Sequence, residues 1–181
     1  EIRGSLANIE NLFNLLGTVP TVADAPSAGK LEINQSRIHF DNVSFYYRAE
    51  RRILNHVNFT IEPGTKVAIV GESGAGKSTL VKLLFRFYDP VSGAVRIDDQ
   101  DISTVTQHSL RQHIGIVPQD TVLFNDTIGE NIRYGRPDAT EQEIQQAIRL
   151  AHLEQFIASL PDGLNTQVGE RGLKLSGGEK Q

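Results

Sequence analysis

The chain of 181 residues contains no cysteine, methionine or tryptophan, and its formal net charge of −4 means that basic residues are not in excess. The lack of cysteine excludes disulfides and thiolate metal sites. Because binding to nucleic-acid phosphates depends on clustered Lys and Arg, we predict no nucleic-acid partner. The apolar runs are far shorter than the roughly 18–20 residues of a membrane-spanning helix, so we expect no such helix within this chain.

The composition is otherwise that of an ordinary globular domain, with 39% hydrophobic and 22% charged residues. The five histidines show no metal-ligand spacing. The only small basic cluster comprises Arg48, Arg51 and Arg52, which we interpret as part of a solvated hairpin loop.

From the sequence at its two ends, we predict that the chain is an excerpt of a longer polypeptide. Residues 1–18 carry apolar side chains at steps of three and four, which indicates a helix already under way at Glu1. A new helix is predicted to begin just before Gln181. Between 19 and 35, prolines and small polar residues predict a linker.

Alternating patterns at 38–47 and 53–61 predict an antiparallel hairpin. Short apolar runs at 66–70 and 114–117 predict buried parallel strands, and 94–97 predicts another strand. Since a short helix is predicted at 106–113 and another helix after residue 76, strands and helices alternate, which indicates a parallel α/β core.

In the later part of the chain, the sequence predicts helices and no strands. Thr140 followed by Glu143 forms a capping box that predicts the start of an amphipathic helix. A second short helix is predicted around 153–160. We therefore expect a helical insertion without strands.

The segment 71–79 has the form G-x-x-x-x-G-K-[ST], typical of a loop that surrounds nucleotide phosphates. Its glycines allow close backbone approach, and successive N–H groups with a helix N-terminus form an anion site. A plain glycine-rich turn is the alternative, but a chance match is on the order of one in a hundred. We predict that Lys77 reaches the β- and γ-phosphates and that Ser78 ligates magnesium. The predicted nucleotide contacts here are Gly71, Glu72, Ser73, Gly74, Ala75, Gly76, Lys77, Ser78 and Thr79.

The segment 175–179 reads LSGGE and resembles the signature motif of ATP-binding-cassette (ABC) ATPases. Ser176 followed by Glu179 is also a capping box, so a plain helix start is the alternative. Two glycines after a capping Ser weaken a helix by roughly 1 kcal/mol each relative to Ala, which favours close approach of a phosphate. The resemblance implies that a nucleotide held by a second subunit is capped here by Ser176, Gly177, Gly178 and Glu179.

Two further positions match the same family. In VSFYY, residues 43–47, Tyr47 stands at the position of the adenine-stacking aromatic; alternation places it on one face with Phe45, and a core aromatic is the alternative. In VPQD, residues 117–120, Gln119 stands at the Q-loop position. The resemblance implies that Gln119 senses the γ-phosphate and magnesium, whereas a plain loop residue is the alternative.

Residues 166–172, TQVGERG, resemble a stretch ahead of the signature in exporters of this family. Glu170 and Arg171 are interpreted as contacts that relay nucleotide state to a membrane domain, or else as a solvated ion pair. Other runs resemble the mitochondrial and bacterial half-transporters linked to iron–sulfur or glutathione-conjugate export and heavy-metal tolerance, namely 84–89, 118–127, 131–135 and 172–181.

The resemblance implies a P-loop NTPase fold of the ABC ATPase type, with a parallel core sheet, an antiparallel β subdomain and an inserted helical subdomain, truncated at the C-terminus. The implied organisation is the end of the last membrane-domain helix at 1–18, a linker at 19–35, and an incomplete nucleotide-binding domain at 36–181, divided into 36–120 and 121–181.

The implied function is to bind MgATP between two head-to-tail domains and, in the full-length protein, to hydrolyse it to power export. Lys77 and Gln119 are the implied catalytic residues, and Ser78 and Gln119 the metal ligands. The implied partners are a second nucleotide-binding domain, as a homodimer, and a transmembrane domain of the same polypeptide. The implied location is the cytosolic or matrix face of a bacterial plasma or mitochondrial inner membrane.

The family's general-base Glu and switch His would follow Gln181, so we expect this excerpt alone to be unstable and to turn over no ATP. Two alternative functions stay open from the residues themselves. One is a soluble ABC-type ATPase acting on ribosomes or DNA, and the other is a nucleotide-gated interaction module without catalysis.

Overall fold

A computed structural model describes residues 9, 13, 17, 20–118, 121–170, 172 and 175–180. They form two compact units, one up to Gly115 and the other from Ile116 onward. Within the described residues, no helix has the length and apolar character needed to cross a membrane. The predicted helix at 1–18 lies mostly outside these residues, although Ile9 and Phe13 are helical.

The first unit is built on a four-stranded antiparallel sheet in the order β2-β1-β3-β4. The predicted hairpin is confirmed, since β1 and β2 pair antiparallel around a turn at residues 49–50. The strands are β1 (Ile38–Arg48), β2 (Arg51–Ile61), β3 (Ser92–Ile97) and β4 (Gln100–Asp101).

Two helices pack with this sheet. The first, α1 (Lys77–Leu84), follows the phosphate loop, and α2 (Gln107–Arg111) follows a short 3₁₀ turn at Ile102–Thr104. The side chain of Thr106 accepts a hydrogen bond from the Ser109 N–H and so caps α2. The fully buried side chains of this core are Phe40, Val43, Leu83, Val95 and Leu110.

The predicted parallel core sheet is wrong for the described residues. Residues 66–70 and 114–117 are not strands, and β3 pairs antiparallel with β1. The physical reason is that a strand exists only through hydrogen bonds to a neighbour, and no described segment pairs with either run. Val70 is 88% exposed and Val117 70% exposed, so nothing in the described chain covers these apolar side chains.

The segment predicted as a linker is tied to this core. The carboxylate of Asp98 accepts hydrogen bonds from four successive backbone N–H groups at residues 34–37, at 2.7–3.1 Å. These hydrogen bonds stabilise the charged form and hold the pKa of Asp98 well below its usual range. Leu31 is buried in the core cluster and donates its N–H to Ser109 Oγ at 3.0 Å.

A second attachment of this segment to the core is made by Arg86, which lies just after α1. Its guanidinium is buried and forms ion pairs with Asp24 at 3.2 Å and with Asp89 at 3.1 Å. It also donates to the carbonyl oxygens of Ala23 and Val105. The start of the segment is therefore joined to the C-terminal end of the phosphate-loop helix.

The second unit is helical, as predicted. Among its described residues the only β pairing is the isolated bridge between Thr127 and Gln167. Its helices are α3 (Ile128–Arg133), α4 (Glu141–Leu150), α5 (Glu154–Ser159) and α6 (Gly177–Lys180), with a 3₁₀ turn at Gly163–Asn165.

The predicted capping box at the start of α4 is confirmed. Thr140 Oγ1 accepts from the Glu143 N–H, and the Glu143 carboxylate accepts from the Thr140 N–H at 2.8 Å. Arg136 forms an ion pair with the same carboxylate. The hydrogen bonds from Thr140, with the nearby Arg136, lower the pKa of Glu143 to about 2.

Candidate functional site

The phosphate-loop segment joins residues 66–70 to α1 in the first unit, and two of its glycines have backbone conformations that other residues rarely adopt. Gly74 has φ +85° and Gly76 has φ +91°. A Cβ on Gly76 would lie 2.9 Å from Leu54 Cδ2 and 3.1 Å from Ile53 Cγ2. The loop therefore packs closely on the start of β2, and a side chain at position 76 would both strain the backbone and require Leu54 to shift.

The loop presents backbone N–H groups at the helix N-terminus. The N–H groups of Thr79 and Leu80 donate to the Gly76 carbonyl, which begins α1. Within the described chain, the N–H groups of Gly74, Gly76, Lys77 and Ser78 have no protein acceptor. Free donors of this kind at the positive end of a helix are suited to bind phosphate oxygens.

Lys77 is the first residue of α1, and its side chain folds back over the loop. Its Nζ donates to the carbonyl oxygens of Gly71 and Glu72, both at 2.7 Å. Among the described residues it has no carboxylate partner within ion-pair distance. A positive charge is thus held at the loop without being neutralised by the protein.

Tyr47, near the end of β1, lies beside the phosphate-loop helix. Its ring makes an edge contact with Phe45 at 4.9 Å between centroids, as alternation along the strand predicts, and another with Tyr88 at 5.2 Å. Its hydroxyl lies 3.3 Å from Thr79 Oγ1. The residue remains 44% exposed, so part of the ring is accessible to a ligand.

Ser78 is exposed, and its hydroxyl makes no hydrogen bond to the described residues. It is therefore free to ligate a cation at the start of α1. Gln119, the other predicted metal ligand, lies outside the described residues. Within the part of the chain that is described, no cluster of His, Asp and Glu could hold a metal by itself.

The signature-like segment lies in the second unit. The Glu179 carboxylate accepts from the Ser176 N–H at 2.6 Å, and Ser176 Oγ accepts from the Glu179 N–H at 3.4 Å. Hydrogen bonding of the Glu179 carboxylate by the Ser176 hydroxyl and by the Ser176 N–H lowers the pKa of Glu179. A Cβ on Gly177 or Gly178 would meet open space, so protein packing does not require either glycine.

The neighbouring exporter-like stretch is held by a loop of the same unit. Glu170 donates its N–H to Asn125 Oδ1 at 2.6 Å, and Val168 donates to the Asp126 carbonyl at 2.9 Å. Gly169 has φ +98°, and a Cβ there would clash with Asn125. Arg171 lies outside the described residues, so its relation to Glu170 stays a prediction.

One residue that the sequence interpretation left as solvated reaches the loop. Arg51, the first residue of β2, places Nη2 3.9 Å from where a Cβ on Gly74 would lie. Its proximity could not be predicted, because it depends on the packing of the hairpin against the loop. Thus the first unit brings together Tyr47, Arg51 and the loop, while Ser176 and Glu179 lie in the second.

A family model described as ABC transporter matches residues 54–181. Among curated proteins, ATP-binding cassette sub-family B member 6 of Rattus norvegicus is 58% identical over 99% of the chain. The mitochondrial iron-sulfur clusters transporter ATM1 of Debaryomyces hansenii is 54% identical over 100% of the chain.

A solved structure of a bacterial Atm1-family ABC exporter with ATP bound superposes with a TM-score of 0.90 at 55% identity, covering 99% of the chain. The chain spans only part of these proteins. It covers 22% and 27% of the two curated relatives and 32% of the solved chain.

Proposed function

Because the chain belongs to the ABC transporter family, we propose that its phosphate loop, Gly71 to Thr79, binds the phosphates of ATP. The observation that carries this proposal is the loop geometry. The backbone N–H groups of Gly74, Gly76, Lys77 and Ser78 have no acceptor in the described chain at the start of α1, and Lys77 adds an unneutralised positive charge. The likeness to an Atm1-family exporter with ATP bound supports ATP as the ligand.

The proposed contact for adenine is Tyr47. Its exposed ring stands at the end of β1, and its hydroxyl interacts with Thr79 in the helix that leaves the loop. An aromatic face fixed at this place can stack on a base whose phosphates occupy the loop. Stacking does not separate adenine from guanine, so ATP selectivity follows from family membership.

Magnesium fits the same site through Ser78. The hydroxyl is exposed, carries no intramolecular hydrogen bond among the described residues, and lies one residue after Lys77. An oxygen donor of this kind beside phosphate oxygens suits Mg²⁺, which keeps few protein ligands. When bound, the ion would neutralise phosphate charge, and Gln119 is the second proposed ligand and γ-phosphate sensor.

We assign the signature-like segment to the nucleotide of a second, identical domain. Gly177 and Gly178 face open space, and Ser176 and Glu179 cap each other. Bare backbone at a helix start can approach a phosphate closely. ATP would therefore lie between the loop of one domain and Ser176 to Glu179 of its partner.

In the intact protein, this domain would hydrolyse ATP and drive export across a membrane through a transmembrane domain of the same polypeptide. The names of the relatives support this proposal, since they include an exporter and a mitochondrial transporter. The proposed location is the cytosolic or matrix face of a bacterial or mitochondrial membrane. Residues 1–18 would end the last membrane-domain helix, 19–35 would be the linker, and 36–181 would belong to the nucleotide-binding domain.

The direct test is equilibrium binding of a fluorescent ATP analogue to the intact protein, with displacement by ATP in the presence of Mg²⁺. We expect saturable binding that Lys77→Ala weakens by at least about a hundredfold, since it removes the charged donor from the loop. A melting temperature close to that of the wild type would show that the variant is folded. Equal affinities for ATP in both proteins would refute the assignment of the loop.

A further inference from the structure

The start of β2 runs along the phosphate loop. Ile53 and Leu54 make the closest approach to Gly76, and Arg51, two residues before Ile53, reaches Gly74. Arg51 follows the turn at residues 49–50 directly and pairs in register with Arg48. Its guanidinium therefore lies beside Gly74, whose N–H group has no protein acceptor in the described chain.

Arg51 also has no competing partner. Among the described residues its side chain makes no ion pair and no hydrogen bond, and it is exposed. Arg52, its neighbour, instead donates to Asn55 Oδ1 at 2.9 Å. Of these two adjacent arginines, only Arg51 combines a free guanidinium with proximity to the loop.

We propose that Arg51 is a phosphate-binding residue, whose guanidinium donates to the phosphate oxygens of the bound nucleotide beside Gly74. This inference rests on the proposed function of the loop and adds a residue to it. Lys77 places its ammonium at the carbonyls of Gly71 and Glu72, so the two cations contact different parts of the loop. A planar guanidinium can donate two parallel hydrogen bonds to a phosphate, which a lysine ammonium cannot.

The charge of the ligand explains why a second cation is useful. A polyphosphate carries several negative charges close together, and a second cation on the β2 side would favour its binding. The contribution should therefore grow with the number of phosphates and fall with ionic strength.

The test compares Arg51→Ala with Arg52→Ala in the intact protein. Both variants remove one positive charge from the same hairpin, but Arg52 lies with Asn55 rather than at the loop. The probes are MgATP and inorganic triphosphate, each titrated to displace a fluorescent ATP analogue. We expect Arg51→Ala to weaken both ligands about tenfold, Arg51→Lys to recover part of the loss, and Arg52→Ala to stay within about twofold.

The outcomes separate this inference from the proposed function. If Arg51→Ala binds both ligands as Arg52→Ala does while Lys77→Ala loses binding, the role of Arg51 is refuted and the loop assignment stands. If the wild-type protein binds neither ligand, both fail. If the alanine variant does not fold, the same titrations are made with Arg51→Gln, which keeps a long polar side chain.

Discussion

The hydroxyl of Tyr47 lies 3.3 Å from Oγ1 of Thr79, the third residue of the phosphate-loop helix. This contact joins the end of β1 to α1. Lys82 Nζ, one turn further along α1, lies 5.4 Å from the centroid of the same ring. The ring is therefore held beside the loop by the helix that the loop begins.

We expect Tyr47→Ala to weaken MgATP binding by about 1–3 kcal/mol, the range measured for loss of one base–aromatic stack. Tyr47→Phe keeps the ring and removes only the contact with Thr79, so its affinity should fall by less than about threefold. Titration with a fluorescent ATP analogue measures both. Tyr46→Ala, which changes the opposite face of β1, is the control; equal losses at Tyr46 and Tyr47 would contradict stacking.

Gly177→Ala tests whether the signature-like backbone serves a ligand. Neither Gly177 nor Gly178 has positive φ, and a Cβ at either would meet open space. Alanine should therefore leave the fold intact and stabilise helix α6 by up to about 1 kcal/mol. ATP turnover by the intact protein should nevertheless fall, because the methyl group would obstruct the approach of a phosphate. Unchanged turnover with a raised melting temperature would favour a plain helix start.

Asp24→Ala should loosen the segment before β1. Asp24 pairs with the buried Arg86 and accepts the N–H of Gln107 at the start of α2. Loss of a partner from a buried charge costs about 2 kcal/mol, so amide hydrogen exchange at residues 22–31 should accelerate. The control is Asp41→Ala, whose pair with Arg96 is exposed and 3.7 Å long and should contribute less than about 1 kcal/mol. Equal exchange in the two variants would contradict the attachment.

Acid should weaken the start of α4. The pKa of Glu143 is lowered from 4.5 to about 2 in the folded chain, so its contribution to stability is complete above about pH 4.5. It is lost as the pH falls from there through about 2, when the carboxylate is protonated. Melting temperatures between pH 5 and 2 should therefore fall less steeply for Glu143→Gln than for the wild type. Glu154→Gln, at a residue without an ion pair in the described chain, should keep the wild-type slope.

Features that depend on nearby residues were predicted well from the sequence. The hairpin of β1 and β2 follows from alternation around a short turn, and the capping box at Thr140 spans three residues. The start of α1 after the glycines of residues 71–76 is equally local, whereas the phosphate contacts predicted for Gly71 to Thr79 stay a prediction.

Features that depend on distant partners were predicted poorly. The β-branched residues of 66–70 predict a parallel strand, yet pairing requires a neighbour that the described chain does not provide. The composition of residues 19–35 predicts a linker but does not predict its attachment to Asp98. The Asp98 carboxylate lies 61–64 positions along the chain from the N–H groups that donate to it. The approach of Arg51 to Gly74 depends likewise on packing between elements.

Asp98 and Arg86 attach the segment from Asp24 to Arg37 at both of its ends. It is fixed at one end beside the C-terminus of α1 and at the other at the turn after β3. Because both ends are attached, a displacement of Asp24 would be passed to Arg86 and so to the C-terminal end of α1.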